Sequence, residues 1–471
     1  MTVSVGMLLW LVGVPIALGA FALRALGVRY DDDRLGFAAW TIPAGSLVLG
    51  LSLWAYVALG IEPWLWATAP LFSGLLLAFL GSRRRESVES QEPRPRGGYG
   101  FVALAIIGSL WCVLQFIAAA ARPSVEGDEG NIWSIKAKSL IIDWYGGDFA
   151  AAQVWNLHPD YPLLNPLMQA WTYSQHGELL QFENRLLVHL CVLGLWLALC
   201  AALRRRLGGW VAGLLALTVL LAPRFFWLCR PAFADGMVAL GALLALDGWL
   251  RYRDTGHAPW LRLSALGAAF ALWSKNEAAL YAVTVGIAAV LAIVTGRVRL
   301  RRPSVVAVGA LLIPLSVVTA QVLWNRQLAL RNDLFGENPT GKSLMTLFVE
   351  QFNERASVVG SRLLDLLTDV TGEFGVLLVL FLAPLLWPRV ALGRQLFVPT
   401  LALIGSCVGL HLVYVGSHLD LERHLDTSHR RVIYQLVPVT LVWFAALLAQ
   451  TVGSDSRWVG SARPRSSLAD R

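Results

Sequence analysis

The sequence predicts an all-α polytopic membrane protein, and three observations lead to that prediction. Of the 471 residues, 56% are hydrophobic and only 15% are charged, and the mean hydropathy is +0.58. A water-soluble protein with this composition would expose far too much apolar surface. The apolar residues also fall into runs of about 20, the length that crosses the hydrocarbon core of a bilayer. Short arginine clusters separate these runs, as the positive-inside bias of membrane proteins requires.

About 13 apolar runs are long enough to be membrane spans. They cover approximately residues 4–23, 37–60, 63–81, 100–121, 185–203, 209–226, 232–250, 262–274, 277–295, 303–324, 373–388, 396–416 and 432–450. The two shortest, 262–274 and 373–388, are expected to be tilted, broken or partly interfacial. The first run has no basic segment before it and no cleavage site after it, so we expect it to stay as the first helix.

The arginine clusters also predict the orientation of the spans. If Arg83–Arg85 face the cytoplasm, alternation places nearly every strong basic cluster on that side and the N-terminus outside. The distribution of the net charge of +8 therefore indicates a membrane topology rather than a nucleic-acid partner. Basic residues that alternation places at the outer face are candidates for binding an anion, although a few outer positive charges are ordinary. They are Lys136, Lys138, Lys275, Lys342, Arg430 and Arg431.

The chain is expected to have three parts. Residues 1–99 form three leading helices and a basic cytoplasmic linker, residues 100–450 form the main transmembrane module, and residues 451–471 form a cytoplasmic tail. Two long outer loops, 122–184 and 325–372, are expected to carry short interfacial helices. The five cysteines form no CxxC pair, so they predict neither a disulfide framework nor a metal site.

The first outer loop contains the candidate catalytic acids. Asp128 and Glu129 stand between Gly127 and Gly130, which let the backbone turn tightly and present a carboxylate into a cavity. A carboxylate at the lipid–water boundary can act as a general base towards a hydroxyl or an amine. The alternative is an ordinary loop acid that faces water. Lys136 follows in the same loop.

Two further segments hold polar side chains at the outer boundary. The NLHPDYPLLNPL segment contains His158 and Asp160, and its three prolines fix the path of the chain. It is either a substrate-binding element or a rigid interfacial turn. The RFFWLCRPAFADG segment contains Arg230 and Asp235 at the mouth of the bundle, and these two side chains could instead pair with each other.

The last two segments combine basic residues with the ends of spans. WSKNEA contains Lys275 and Glu277, an ionisable pair at the membrane boundary that is either functional or a structural ion pair. HLDTSHRRVIYQLVP contains Arg431. An arginine fork there is well suited to phosphate oxygens, and the alternative is a snorkelling arginine that fixes the helix end.

Together and in this order, the five motifs resemble the GT-C class of integral membrane glycosyltransferases. The pattern is most similar to the bacterial relatives of protein O-mannosyltransferases and lipid A aminoarabinose transferases, over residues 100–450. The resemblance implies transfer of a sugar from a polyprenyl-phosphate carrier to an extracytoplasmic acceptor, with inversion at the anomeric carbon. It also implies a bacterial inner membrane location, with the site facing the periplasm or exterior. The three leading helices depart from the class, because its catalytic loop usually follows the first helix.

The resemblance further implies roles for individual residues. Asp128 would be the catalytic base or a group that orients the acceptor, with Glu129 beside it. The other candidates would bind the substrate or its phosphate, and they are Lys136, His158, Asp160, Arg230, Asp235, Lys275, Glu277 and Arg431. No definite cofactor is implied, and a divalent cation stays open because one or two loop acids are too few to predict a metal site. The expected partners are the lipid-linked sugar donor, membrane lipid and the acceptor.

Two other functions are compatible with the same residues. A flippase or transporter of an anionic lipid-linked sugar would also need outer cations, but broken helices with ionisable groups at mid-membrane are typical of transporters. A polysaccharide ligase or polymerase would use the same kind of lipid carrier. The sequence determines neither the sugar nor the acceptor, and it does not determine the oligomeric state.

Overall fold

In the computed structural model, the described residues are 4–82, 98–123, 127–142, 158–179, 183–229, 231–297, 305–330, 344–368 and 380–454. Within these ranges, every regular element is a helix, which confirms the predicted all-α class. The helices are α1 (Val5–Leu26), α2 (Arg34–Ala58), α3 (Ala69–Ser82), α4 (Tyr99–Ala120), α5 (Ile135–Ile142), α6 (Leu164–His176), α7 (Leu186–Leu207), α8 (Gly209–Leu221), α9 (Pro223–Cys229), α10 (Asp235–Thr255), α11 (Ala258–Leu272), α12 (Glu277–Val294), α13 (Val305–Gln327), α14 (Leu344–Thr368), α15 (Ala383–Leu386), α16 (Pro388–Ala391), α17 (Phe397–Gly416), α18 (Leu421–His424) and α19 (Arg430–Ser454).

Eight stretches of the described chain are helical, long and apolar enough to cross a membrane. Helices α8 and α11 are shorter apolar helices. The predicted span 373–388 lies partly outside the described residues, and its described part, from residue 380 on, contains the short helix α15 and the first residue of α16. The predicted span 209–226 is divided, because Ala222 is extended and Pro223 begins a new helix. A residue before proline is disfavoured in the helical region, which gives the physical reason for this break.

The centre of the bundle is formed by α7, α10 and α19, which pack against one another, and α2 packs against α7. The outer helices keep apolar side chains exposed, as lipid-facing helices do. On α4, for example, Ile106, Leu110, Leu114 and Ile117 are each more than half exposed. Their spacing of three to four residues places them on one side of the helix. Helices α7 and α19 are thus largely buried, whereas outer helices such as α4 are largely exposed.

Helix α7 links two polar ends of the bundle. Arg185 precedes its first residue and is buried. At the other end, Arg205 contacts the buried carboxylates of both Asp33 and Asp247. The helix has 22 residues, which corresponds to about 33 Å at 1.5 Å per residue. The candidate site and the basic cluster that the sequence assigns to the cytoplasm consequently lie about one membrane thickness apart.

Two long outer loops carry the helices that the sequence predicts for them. In the first, α5 and α6 are described, and α6 is buried from Leu164 to Tyr173. In the second, α14 covers the amphipathic stretch and packs against α17. Its residues Leu347 and Val359 are buried, whereas Met345 and Val349 are exposed.

Helices α1 and α2 approach each other closely through glycine. A Cβ atom at Gly45 would collide with the carbonyl oxygen of Pro15, and one at Gly19 would collide with that of Thr41. Small residues at such crossings allow membrane helices to pack backbone against backbone. Helix α3 packs against both α1 and α2, and α2 also packs against α7 of the central group.

This crossing gives a prediction about stability. Gly45→Ala is expected to lower the free energy of unfolding by about 3 kcal/mol, the upper part of the usual range for overpacking. The loss should appear even though alanine is the better helix former by about 1 kcal/mol. Gly13→Ala on α1 is the matched control, because a Cβ atom there meets nothing within 4 Å. Thermal unfolding of the two purified variants in detergent checks this, and equal melting temperatures would contradict the close crossing.

Candidate active site

Asp235, the first residue of α10, is the centre of a buried network of charges. Its Oδ2 accepts a hydrogen bond from Nη2 of Arg431 at 2.9 Å. Its Oδ1 accepts from Nε2 of Gln435 at 2.7 Å and from Nζ of Lys275 at 3.3 Å. Arg431 and Gln435 lie four residues apart, so they share one face of α19. Three hydrogen-bond donors from two separate segments thus hold one buried carboxylate. Because Asp235 lies at the N-terminus of α10, the positive end of the helix dipole also stabilises its negative charge.

The network extends from this centre to two more exposed carboxylates. Nη1 of Arg431 is 2.5 Å from Oδ2 of Asp128, and Nζ of Lys275 is 2.8 Å from Oε1 of Glu277. The side chain of Asp128 is 36% exposed and that of Glu277 is 22% exposed, whereas Asp235 is fully buried. The result is a chain of alternating charges, acid–cation–acid–cation–acid. Its middle is buried and its two ends are accessible.

Both cations of the network stay charged at neutral pH. Burial alone would lower the pKa of Lys275, but the adjacent carboxylates of Asp235 and Glu277 outweigh it, and the pKa is raised above its ordinary value. The guanidinium of Arg431 lies 4.5 Å from the ring centroid of Phe233 and touches two carboxylates. Arginine stays protonated in proteins. Two fixed positive charges therefore lie side by side at the mouth of the bundle.

Glu129 is buried and belongs to a separate clamp. Arg185 contacts both of its carboxylate oxygens, with Nη2 at 2.7 Å from Oε2, and the backbone N–H of Ala232 donates to Oε1 at 3.0 Å. Arg185 also donates to the carbonyl oxygens of Arg122 at 2.8 Å and Pro123 at 3.0 Å. The clamp therefore ties the end of α4 and the acidic loop to the segment that leads into α10.

Buried amides hold the same segment from its other side. Nδ2 of Asn165 donates to the carbonyl oxygen of Ala232 at 2.9 Å, and Nε2 of Gln169 donates to Oδ1 of Asn165 at 2.8 Å. The Oε1 atom of Gln169 accepts from Asn184 at 2.8 Å and from Ser134 at 2.9 Å. Sequence reasoning missed these residues and Arg185. The one local signal for them is that two amide side chains, Asn165 and Gln169, lie four residues apart in a largely apolar segment.

Lys136 supports the loop that contains His158. Its Nζ donates to the carbonyl oxygens of His158 at 2.6 Å, Pro159 at 3.1 Å and Tyr161 at 3.1 Å, and its side chain is fully buried. An ammonium group has three hydrogens, and three carbonyls are in place to accept them. This geometry fits a lysine that fixes the backbone of residues 158–161.

That loop lies beside the charge network. Oδ2 of Asp160 accepts from Nδ2 of Asn276 at 2.7 Å, which joins the loop to the residue after Lys275. The rings of His158 and Tyr161 stack with centroids 4.4 Å apart. Burial is the main reason that the pKa of Tyr161 is raised well above its ordinary value, and the negative charges of Glu277 and Asp128 raise it further. The phenol of Tyr161 therefore stays neutral.

The structure brings five of the predicted site residues into one network, namely Asp128, Asp235, Lys275, Glu277 and Arg431. Glu129, Lys136, His158 and Asp160 surround this network. Arg230 and Lys342 lie outside the described residues, so their predicted roles stay predictions. Asp235, which the sequence alternatively pairs with Arg230, contacts two other cations. In the part of the chain that is described, no group of three His, Cys, Asp or Glu side chains could hold a metal ion.

No protein-family model matches this sequence, and no curated protein matches it. Among solved structures, the chain is similar to ArnT from Cupriavidus metallidurans, whose crystal structure was determined with bound undecaprenyl phosphate. The sequence identity is 18% and the TM-score is 0.48, and the similarity covers 76% of this chain. It covers 62% of ArnT, so the chain spans less than two thirds of that protein.

Proposed function

We propose that this protein is an inverting glycosyltransferase, which moves a sugar from a polyprenyl-phosphate carrier to an acceptor on the extracytoplasmic side. The observation that carries the proposal is the network of Arg431, Lys275 and Asp235, which ends in the accessible carboxylate of Asp128. It combines two fixed cations with a carboxylate that solvent can reach. Transfer from a lipid phosphate needs both of these features at one place.

The cations serve the leaving group. In the reaction the bond between the anomeric carbon and the phosphate oxygen breaks, and the polyprenyl phosphate departs as an anion. Charges that are fixed before the reaction stabilise such an anion without reorganisation. Asp235 holds Arg431 and Lys275 in this way. The Nε atom of Arg431 is buried, and it has no hydrogen-bond partner among the described residues. This N–H group can therefore donate a hydrogen bond to the phosphate, while Nη1 and Nη2 contact Asp128 and Asp235.

Asp128 is the best placed of the acids to act as the base. The oxygens of Asp235 are occupied by three donors, and both oxygens of Glu129 contact Arg185. Asp128 contacts Arg431 through Oδ2 and is 36% exposed. In the proposed step it takes the proton of the acceptor hydroxyl or amine while that atom bonds to the anomeric carbon. Attack opposite the departing phosphate inverts this carbon.

The remaining candidates take supporting roles in the proposal. Glu129 positions the acidic loop through Arg185, and Lys136 holds the backbone of residues 158–161. His158 and Glu277 line the approach to the cations and contact the sugar. Glu277 is suited to this because its Oε2 is buried without a hydrogen-bond partner in the described part of the chain, and a sugar hydroxyl could donate to it.

A transfer assay tests the proposal. Purified protein in lipid is given radiolabelled polyprenyl-phosphate sugars and an extract of envelope acceptors, and release of polyprenyl phosphate is followed. We expect release by the wild type and by Arg423→Gln, an exposed outer arginine that serves as control. Arg431→Gln should lose at least about 100-fold in rate, because it removes a donor to the departing phosphate. If labelled donor instead moves between leaflets without any transfer, the protein is a transporter and the proposal is wrong.

A further inference from the structure

Gln435 is a fully buried amide that connects the charge network to α12. Its Nε2 donates to Oδ1 of Asp235 at 2.7 Å, and its Oε1 accepts a hydrogen bond from the hydroxyl group of Tyr281 at 2.8 Å. Tyr281 lies on α12 and is 8% exposed. The proposed function gives this tyrosine no role. The three side chains nevertheless form one chain of hydrogen bonds, from Tyr281 through Gln435 to the carboxylate at the centre of the network.

This chain of hydrogen bonds joins the two elements that carry the cations. Lys275 lies just before α12, and Tyr281 is near the start of that helix. Arg431 is on the first turn of α19, and Gln435 follows it one turn later on the same face. Helix α12 packs against α17, whereas α19 packs mainly against α10 and α7. The bond between Tyr281 and Gln435 is therefore a direct link between helices whose main packing partners differ.

The tyrosine fixes the direction of the amide. A glutamine side chain accepts hydrogen bonds at its oxygen and donates them at its nitrogen. Because a carboxylate only accepts, the nitrogen of Gln435 can hold Asp235, and a rotated amide would turn its oxygen towards the negative charge. The hydroxyl group of Tyr281 donates to the amide oxygen and keeps it on the opposite side. Hydrogen bonds in such a chain also polarise and strengthen one another.

We infer that Tyr281 is a positioning residue of the transfer reaction, which acts through Gln435 to hold Asp235 and thereby the spacing of the two cations. The inference rests on the proposed function, in which Arg431 and Lys275 stabilise the departing phosphate. Asp235 meets these cations at separate oxygens, Oδ2 for Arg431 and Oδ1 for Lys275. A rotation of the carboxylate would disturb both contacts at once. Gln435 opposes that rotation at Oδ1, and Tyr281 keeps Gln435 in place.

The same helix offers a matched control. Thr284 lies three residues after Tyr281, and it is 9% exposed. Its hydroxyl oxygen is 2.8 Å from that of Ser406 on α17, so it also makes a buried hydrogen bond to another helix, but with a residue outside the charge network. Tyr281→Phe and Thr284→Val each remove one hydroxyl group and keep the shape of the side chain. They should cost similar stability and differ in their effect on catalysis.

The release of polyprenyl phosphate is then compared in the transfer assay. Tyr281→Phe is expected to lower kcat per folded molecule about tenfold, the effect of losing one hydrogen bond. Thr284→Val should keep the wild-type kcat, although its melting temperature falls by a similar amount. A wild-type kcat in Tyr281→Phe, or an equal fall of kcat in Thr284→Val, would show that the hydroxyl group is only structural and would overturn the inference.

A second comparison tests the route through Gln435. Gln435→Met keeps the length of the side chain, but it can neither hold Asp235 nor accept a hydrogen bond from Tyr281. In this variant the further change Tyr281→Phe should lower kcat no more, because the link is already broken. The double variant also lacks the buried amide oxygen that Tyr281→Phe leaves without its donor, so it folds even where the single variant does not. A further fall in kcat would show that Tyr281 acts by another route, and the inference would be wrong.

Binding separates this inference from the proposed function. Undecaprenyl phosphate is titrated by calorimetry into the purified proteins in detergent. Tyr281→Phe should weaken its binding about tenfold, and Thr284→Val should not. If the wild type releases no polyprenyl phosphate from any labelled donor, the proposed function fails, while weaker binding by Tyr281→Phe alone would still support the positioning of the cations. Equal affinities in all three proteins would overturn it.

Discussion

Asp128→Asn is expected to lower the rate of sugar transfer by about 10²–10⁴-fold, the usual contribution of a general base. Asparagine keeps the shape of the side chain and can still accept a hydrogen bond from Arg431, but it cannot take the proton of the acceptor. The exposed position of Asp128 means that loss of its ion pair costs little stability. We therefore expect a fall in kcat, a nearly unchanged KM for the donor and a normal melting temperature.

The adjacent residue supplies a matched comparison. Glu129→Gln is the same chemical change one position along the chain, but Glu129 is fully buried and paired with Arg185. Removing one partner of a buried ion pair costs about 3–5 kcal/mol, so this variant should lose thermal stability rather than catalytic rate per folded molecule. The opposite result, with a stable but inactive Glu129→Gln and an active Asp128→Asn, would transfer the role of base to Glu129.

Asp235→Ala is expected to have the largest effect on stability. The change leaves Arg431, Lys275 and Gln435 without the fully buried carboxylate that all three contact. Arg431 and Lys275 then keep only their partly exposed partners, Asp128 and Glu277. Breaking a buried ion pair costs about 3–5 kcal/mol, which approaches the whole stability of many proteins. We expect little monodisperse protein and a strongly lowered melting temperature in the fraction that can be purified.

The control for this experiment is Glu422→Gln, which neutralises an exposed acid close to the start of α19. Its melting temperature should equal that of the wild type. If Asp235→Ala also melted at the wild-type temperature, the network would not be a stabilising element. Arg431 and Lys275 could then not be regarded as fixed before the substrate binds.

Much of the fold could be predicted because each membrane helix satisfies its own backbone. A run of about 20 apolar residues is enough to predict a span, and helices occupy the predicted spans that are described. The acidic and basic members of the network could also be identified, because a charge at the end of an apolar run is costly and conspicuous. Asp128, Lys275, Glu277 and Arg431 all carry this local signal.

The choice of partners could not be predicted in the same way. Asp128 and Arg431 are separated by 303 residues, and Glu129 and Arg185 by 56. A lone arginine before an apolar run, such as Arg185, looks like any helix-end arginine until the packing places a carboxylate beside it. The amides Asn165 and Gln169 carry no charge, and they become notable because α6 is buried around them.

The sequence by itself determined that this is a helical membrane protein and which ionisable residues stand at the ends of its spans. These properties depend on the cost of placing each residue in hydrocarbon, which is local to the segment. Tertiary structure alone decided that Asp235 joins Arg431 to Lys275 and that Glu129 is buried while Asp128 is accessible. These properties depend on which helix ends meet, and a pairing energy exists only between groups that the packing brings within a few ångströms.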